Sequence, residues 1–553
     1  MHRRGFLRLT GFSAAALVFQ KNFPAGFSGE DLLHFPSGIS CWMDGQWKDL
    51  TGSKESWKYQ DMTVKLVHAD GSLKVSLRSP GMELSRLRIR WKQGFSSKAR
   101  CLGDAWELSY GDLAWTEGLP STKAPWYLLT NDGTSTHAFG VRTGAACFCS
   151  WQAGLGQLDL FLDTQSGAMG VLLGNRELQA AEIITTCSRP GETAFQTDAR
   201  FCKMMCKQPR LPAKPVYGIN DWYFAYGKNS KEQILERTAA LAVLAQDNEN
   251  RPFSVIDDGW MYHDPEDPNT LCWGSDFSKS NDQFGDMATL ADEIKKLGMR
   301  PGLWTRTLLA NSNDRPSGLT PLRPGENNPK KRYLDPTIPE NIHRIQGIIR
   351  GYKDWGFELI KHDYSTFDCF GRWGDDMKET TAVGGWHFQD RSRTNAEIVL
   401  TLYQAIREAA GDMYLIGCNT VSHLSAGLFE LNRIGDDTSG KEWARTLKMG
   451  VNSMAFRLPQ HGAFYAVDGD CVGLTTLVPW EKNKQWMQLL AESGAPLFIS
   501  AQKEATGSEQ QAFIKQCFSQ ASIEQPTGEP LDWMTNPRPG KWKLNGREVE
   551  FAW

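Results

Sequence analysis

The sequence predicts a multidomain chain: an N-terminal antiparallel β-sandwich, an α/β (β/α)8 TIM barrel, and a short C-terminal β appendage. Three observations carry that prediction. From about residue 30 to 212, short alternating apolar runs lie between Gly, Asp, Ser and Pro turns, the pattern of half-buried antiparallel strands. After Pro209, Pro212 and Pro215 the rhythm changes to strand–helix repeats, with eight strands in about 300 residues. That is the signature of a closed α/β barrel. Beyond residue 522 about 30 residues remain, enough for two or three strands but not for an independent core. The divisions are 1–28 export signal, 30–212 sandwich, 213–522 barrel and 523–553 C-terminal β segment.

Residues 1–28 carry an address. Arg3-Arg4-Gly5-Phe6-Leu7-Arg8 precedes a modestly apolar run from Leu9 to Phe19. Basic residues followed by a short apolar stretch make a signal peptide, and the run is too short to span a bilayer. The twin arginine resembles a twin-arginine export signal, so a periplasmic or secreted protein is expected, without stable membrane insertion. In the sandwich, Met62–His68, Leu73–Leu77 and Ala138–Val141 alternate as strands do.

The barrel strands are read as Val216–Trp222, Phe253–Asp257, Met299–Trp304, Phe357–Asp363, Met413–Cys418, Phe429–Asp436, Ala463–Asp470 and Ala495–Ser500. Helical periodicity falls between them at Lys231–Leu244, Met287–Leu297, Ile338–Trp355, Ala396–Ala410, Trp443–Arg457 and Glu481–Ser493, and after them at Gln510–Ala521. A doubly wound open sheet is the alternative. It would show a Gly-rich phosphate turn after its first strand, and Trp222-Tyr-Phe-Ala-Tyr-Gly227 is no such turn.

Composition narrows the chemistry. Net charge is −3, from 61 basic and 64 acidic residues, so no strong field favours nucleic acid. Twenty-one Trp offer aromatic faces for sugar rings, although most Trp residues belong to cores. Twelve Cys are scattered without metal-ligand spacing and read as buried thiols, with an occasional disulfide possible.

Polar residues gather at the carboxyl ends of the strands, where such barrels keep their chemistry. They are Asp257-Asp258-Gly259-Trp260, Trp304-Thr305-Arg306, Lys361-His362-Asp363, Cys418-Asn419, Arg433-Ile434-Gly435-Asp436-Asp437 and Asp468-Gly469-Asp470. Side chains alternate along a strand, so Lys361 and Asp363 point one way and His362 the other. Carboxylates beside Trp suit a carbohydrate: hydroxyls donate to the carboxylates and C–H faces stack on the rings. Two opposed carboxylates would supply a nucleophile and an acid/base. Each motif also has a structural reading. Asp-Asp-Gly is turn chemistry, Lys361 with Asp363 makes a strand-end ion pair, and Cys418 has no base beside it. A divalent-metal site is the sharper rival for so many carboxylates. No His-x-His spacing supports it, and Lys361 and Arg433 supply counter-charge, so neither metal nor cofactor is expected.

The motifs Ile256-Asp-Asp-Gly-Trp260, Pro301-Gly-Leu-Trp304, Leu359-Ile-Lys-His-Asp363, Cys418-Asn419, Arg433-Ile-Gly-Asp-Asp437 and Ala495-Pro-Leu-Phe-Ile-Ser500 are similar, in order and strand position, to those of retaining α-galactosidases. The chain resembles glycoside hydrolase family 36, and family 27 more distantly, over roughly residues 210 to 505. The resemblance implies Asp363 as nucleophile and Asp437 as acid/base, with the adjacent Asp436 the alternative. It implies that Lys361 bonds the sugar and favours the ionised nucleophile, and that Arg433 contacts the sugar or the acid. Asp257 and Asp258 would hold the 4- and 6-hydroxyls of galactose, Trp304 and Trp222 would line the pocket, and Cys418 with Asn419 would lie near the 2-position.

Three features depart from the family pattern: Thr305-Arg306, the long loop Tyr364–Asp390 with Trp373 and Trp386, and the brief C-terminal segment. Related alternatives are α-N-acetylgalactosaminides or β-L-arabinopyranosides as substrates, and transglycosylation. The alternative of another class is a non-catalytic glycan-binding protein on a dead barrel.

Overall fold

The computed structural model describes residues 34–553 apart from 93, 96–97, 119–121, 264–275, 311–317, 322 and 324–331. The export signal read over residues 1–28 lies outside the described residues. Among the described residues no helix is long and apolar enough to cross a membrane, and no cysteine is in a disulfide.

The N-terminal part is two antiparallel sheets face to face, one of six strands and one of nine. Period-2 alternation turns Ile39, Cys41, Leu87, Ile89, Leu160 and Leu162 of the smaller sheet inward. The strands Met62–Ala69, Ser72–Ser79 and Thr136–Val141 lie in the larger sheet. A helix that the alternating pattern did not disclose, Ala194–Met205, follows the last strand. Thr193 and Gln196 start it with a reciprocal capping box. Its Phe201 and Met205 sit so close to Gly140 that a Cβ there would lie 2.9 Å from the Phe201 ring.

The central sheet is parallel and ordered as a ring of staves: Tyr217–Asn220, Phe253–Ile256, Arg300–Thr305, Leu359–His362, Tyr414–Gly417, Leu431–Arg433, Ala466–Asp468 with Cys471–Leu474, and Leu497–Ala501. The seventh stave differs from the single strand expected over Ala463–Asp470. Its first half pairs with stave six and its second half with stave eight. The break falls at Gly469-Asp470, where Asp470 takes φ 74°, and this bent stave closes the ring. Between staves five and six only the four-residue helix Ser422–Ser425 intervenes. The helix expected over Trp443–Arg457 is present, with a π-helical turn at Leu447–Asn452.

Inside the ring, Val255, Leu359, Ile416, Leu431, Ala466 and Phe498 form an apolar plug separate from the main core. Alternation carries the same inward face up to Asp257, Lys361, Asp363, Cys418 and Arg433. His362, on the outer face, is fully buried between Tyr403 and Phe429, and burial pushes its imidazole down to about 3. The C-terminal strands Glu529–Pro530, Lys541–Leu544 and Arg547–Glu550 make a small antiparallel sheet that buries Trp542.

The sandwich and the barrel are locked together by buried polar groups. Arg457 pairs with Asp104 at 2.8 Å, both side chains essentially inaccessible. It also donates to the carbonyls of Glu107 and Ile434. The chain at Ser109 adds a short parallel bridge to the sixth stave's end: Ser109 N–H donates to Ile434 O and Asp436 N–H to Ser109 O. Removing one partner of a buried pair leaves an uncompensated charge, at a cost of about 3–5 kcal/mol. Arg457→Met is therefore expected to lower unfolding stability in urea by that amount. A loss under ~1 kcal/mol, the range of surface pairs, would show that the anchor is dispensable.

Candidate active site

At the carboxyl ends of the staves lies a cavity of about 510 Å³. From the staves and the turns after them it is lined by Trp222, Asp257, Asp258, Trp304, Lys361, Asp363, Asn419, Asp436 and Asp437. Loops add Tyr364, Trp373, Asp375 and Asp376, and the N-terminal sheets add Tyr110. Two of the sequence-derived residues stand behind this wall. Cys418 is 2% exposed and Arg433 1%, and neither lines the cavity; Arg433 touches the acid candidate rather than open space.

Asp363 follows stave four directly. Trp304 Nε1 donates to its Oδ2 at 2.9 Å and the Tyr364 N–H to its Oδ1 at 2.6 Å, so both carboxylate oxygens have a fixed partner. Tyr364 takes φ 64° to make that turn. Such a conformation costs roughly 1–3 kcal/mol in a non-glycine residue and clusters at functional sites. Burial pushes the Asp363 carboxyl above the usual range, against the opposing pull of Lys361 and the Trp304 N–H, and the charge of Asp437 adds to the rise.

Lys361 does not pair with Asp363 as a strand-end bridge. Its Nζ reaches across to Asp257 Oδ2 at 2.7 Å. Burial is the largest influence and works against its charge, but Asp257, joined by Cys418 and Asp363, outweighs it and holds the ammonium well above its ordinary value. Asn220 Nδ2 donates to the same Asp257 oxygen at 2.7 Å. Asp221 braces the turn by accepting from the Asp257 N–H at 2.6 Å and from Asn229 at 2.5 Å. Burial and the nearby Asp257 push the Asp221 carboxyl up to about 7.

Asp258 points elsewhere, and its buried Oδ1 has no hydrogen-bond partner among the described residues. Burial and the charge of Asp257 raise its carboxyl well above the usual range. A buried acceptor left unmade costs about 1–3 kcal/mol, and the hydroxyl of a ligand would supply the missing donor. The glycine that follows is required by space: Gly259 has φ 117°, and a Cβ there would sit 2.4 Å from Asn229 Oδ1. Trp260 is fully buried and donates to the Trp304 carbonyl at 2.9 Å, which steadies the ring that holds Asp363.

Asp437 and Asp436 leave stave six in different directions. Arg433 Nη2 donates to Asp437 Oδ1 at 2.6 Å, while its Nη1 meets Asp470 at 2.9 Å. Burial is the largest influence and disfavours the Asp437 charge, but Arg433, Lys361 and Arg445 together outweigh it and hold that carboxyl below the usual range. The side chain of Asp437 remains 43% exposed, so it can turn toward a ligand. Asp436 pairs with Arg445 at 2.7 Å; burial and the Asp437 charge raise its carboxyl. Asp470, at the bend in stave seven, also accepts from the Thr438 N–H at 2.7 Å and from the Tyr223 hydroxyl. The bend thus fixes the turn that carries Asp437.

Thr305-Arg306, which sequence reasoning left unassigned, is structural. Arg306 makes a bidentate pair with Asp368 and lies 3.9 Å from the Tyr364 ring centre. Sequence reasoning missed Tyr110, Asp375, Asp376, Asp221 and Asn220. Asn220 and Asp221 end stave one and could have been taken from that position. Tyr110 comes from another sheet system, and no motif announces it. Among the described residues no group of His, Cys, Asp and Glu side chains is placed to hold a metal ion. The arrangement can bind a polyhydroxylated ring, present one fixed carboxylate to it, and offer a second carboxyl from another side.

No family model and no curated protein matches the chain in sequence. Solved structures share its fold. The α-galactosidase TtGalA from Thermus thermophilus, in complex with p-nitrophenyl α-D-galactopyranoside, is 18% identical over 93% of this chain and 99% of that one, with TM-score 0.59. A variant of the GH36 α-galactosidase AgaA from Geobacillus stearothermophilus, in complex with 1-deoxygalactonojirimycin, is 12% identical over 92% and 74%, with TM-score 0.60. An α-galactosidase from Lactobacillus brevis is 12% identical over 88% and 68%, with TM-score 0.56. At such identities the likeness is one of fold.

Proposed function

We propose that this chain is a retaining exo-glycosidase, a member of glycoside hydrolase family 36, which removes terminal α-D-galactosyl residues from oligosaccharides or glycans by double displacement. The observation that carries the reading is the pairing within one pocket of a doubly anchored carboxylate, Asp363, with a partly exposed one, Asp437, that acts on its charge. The shared fold of three α-galactosidases supports it. The twin-arginine motif at Arg3-Arg4 supports action outside the cytoplasm.

In the first step an Asp363 oxygen bonds the anomeric carbon as the bond to the leaving oxygen breaks. Asp437 gives its proton to that oxygen, leaving a glycosyl ester and a free alcohol. In the second step Asp437, now a carboxylate, takes a proton from water. The hydroxide attacks the anomeric carbon, the ester bond breaks, and Asp363 returns ionised. The chemistry requires a proton on Asp437 and a charge on Asp363 when substrate binds. Lys361 and the Trp304 N–H favour the ionised form of Asp363 against the burial that raises its carboxyl, and Lys361 acts on Asp437 in the same direction. Asp258 accepts from a sugar hydroxyl, and the Lys361–Asp257 pair presents a second polar edge.

One observation favours a second assignment of the acid. Asp436 is the carboxyl whose surroundings favour the protonated form, whereas Arg433 holds Asp437 charged. Against it, Asp436 faces Arg445 and its backbone bridges to Ser109.

Substrate choice tests the reading. An axial 4-hydroxyl reaches an acceptor that an equatorial one leaves unpaired, and sites built around such bonds reject the wrong partner strongly. kcat/KM for an aryl α-galactoside is expected to exceed that for the α-glucoside at least tens of times, the upper part of the ~1–3 kcal/mol of an orphaned acceptor, which is larger for a charged one. Asp258→Asn is expected to narrow the gap. A faster glucoside contradicts the reading; preference for the α-N-acetylgalactosaminide or β-L-arabinopyranoside moves the substrate to a relative of galactose.

The acid is identified by leaving-group dependence. Asp437→Asn is expected to depress turnover of poorly leaving alkyl galactosides far more than of activated aryl ones. Asp436→Asn removes a like charge beside Asp437, so the Asp437 pKa falls. The protonated acid is then lost sooner as pH rises, and the alkaline limb of kcat/KM moves to lower pH with no leaving-group bias. Exchanged behaviours would make Asp436 the acid.

A further inference from the structure

The outer face of the six-stranded sheet carries three large aromatic side chains among its arginines and Asp159. Opposite the inward Cys41, Leu87 and Leu162 it carries Trp42, Trp47 and Phe161, all half-buried. Trp42 and Trp47 are direct cross-strand partners, edge to face at 5.3 Å, and Trp47 lies 5.9 Å from Phe161. Cations lie over one face of each ring, Arg88 at 4.9 Å from the Trp47 centre among them. Arg86 sits 4.1 Å over Trp42 and Lys123 3.9 Å over Phe161.

A second cavity, of about 500 Å³, runs from the pocket toward this face. It shares Tyr110 and Asp375 with the pocket and has Lys123 and Glu379 in its wall. Glu379 contacts Lys123 at 2.5 Å and Arg86 at 3.7 Å, so the side chains that wall the groove also hold the ring ladder. The loop from Trp373 to Glu379 borders the pocket at one end and the ladder at the other.

We propose that this groove, continued by Trp42, Trp47 and Phe161, binds the leaving-group side of the substrate, a neutral oligosaccharide chain running on from the scissile bond. The inference rests on the glycosidase reading above and places the leaving-group side of that substrate on named residues. Continuity with the pocket fixes the occupant, because a chain cut at the pocket has to leave through an opening next to it. Flat rings beside hydrogen-bonding side chains match the alternating C–H faces and hydroxyls of sugars. The junction is crowded with Asp112, Asp375, Asp376 and Asp436, which would repel an acidic chain.

The test is a ladder of substrates with one α-galactosyl end: p-nitrophenyl α-galactoside, raffinose, stachyose and the next longer member. kcat/KM is expected to rise with length through a falling KM. Trp47→Ala is expected to cut the ratio of the longest member to the aryl glycoside by ~10-fold, the scale of a lost aromatic contact, and Trp47→Phe to restore most of it. Calorimetric binding of the same ladder to Asp363→Asn separates the two readings. Length-dependent binding that Trp47→Ala abolishes supports the proposal even if turnover is absent. Binding indifferent to length or to Trp47 overturns this proposal alone, and no binding of any member overturns both readings. A dimer in solution that Trp47→Ala dissociates, with the ladder unaffected, assigns the face to a second copy of the chain and also overturns the proposal.

Discussion

Two buried cations decide what this barrel end can hold. The pocket gathers seven carboxyls, from Asp257, Asp258, Asp363, Asp375, Asp376, Asp436 and Asp437, at the low-dielectric mouth of an apolar plug. Lys361 neutralises Asp257, and Arg433 divides itself between Asp470 and Asp437. Stripping either cation out would leave buried anions unpaired, at about 3–5 kcal/mol per broken pair. The carboxyls not so paired behave accordingly: Asp258, Asp363 and Asp436 are all pushed up, chiefly by burial. Position relative to two cations thus gives side chains of one kind three different tasks. Asp257 is bound in place, Asp258 is left wanting a donor, and Asp437 is held by Arg433 with its side chain partly exposed to the pocket.

The frame that holds this distribution reaches well beyond the barrel. Asp436 and the turn into Asp437 are clamped from the sandwich by the backbone of Ser109 and from stave seven by Asp470. Glu107, on the same sandwich segment, accepts from the Tyr110 hydroxyl and the Gly374 N–H, both at 2.7 Å. It thereby ties a pocket wall from one sheet system to a loop of the other. Left-handed backbone at Tyr226, Tyr364, Asn419 and Asp470 surrounds the cavity. Strain of this kind persists only where the surroundings over-determine it.

The staves and the polar residues above them were legible because they obey local rules. Period-2 alternation from Leu359 through Lys361 to Asp363 fixes three inward side chains at once, and buried parallel strands announce themselves as short apolar runs. The Asp-Asp-Gly-Trp turn was legible for the same reason, since Gly259 is the residue its φ and its neighbours require. What was hidden depends on long-range contact. Tyr110 reaches the pocket only because Ser109 pairs with stave six. The break in stave seven is a left-handed Asp470 inside a run that reads as one strand. Cys418 and Arg433 share the inward parity of the site, yet packing places them behind the wall. Alternation gives a side chain's direction but not whether another covers it.

The central claim is that Asp363 forms a covalent ester with the sugar, and it can be read directly. A fluorinated galactosyl fluoride that esterifies faster than water can release it would trap the intermediate for peptide mass spectrometry. The account predicts one sugar adduct per chain, on the peptide containing Asp363, with none formed by Asp363→Asn. An adduct on the peptide carrying Asp436 and Asp437 instead, or persistent labelling of Asp363→Asn, would contradict it.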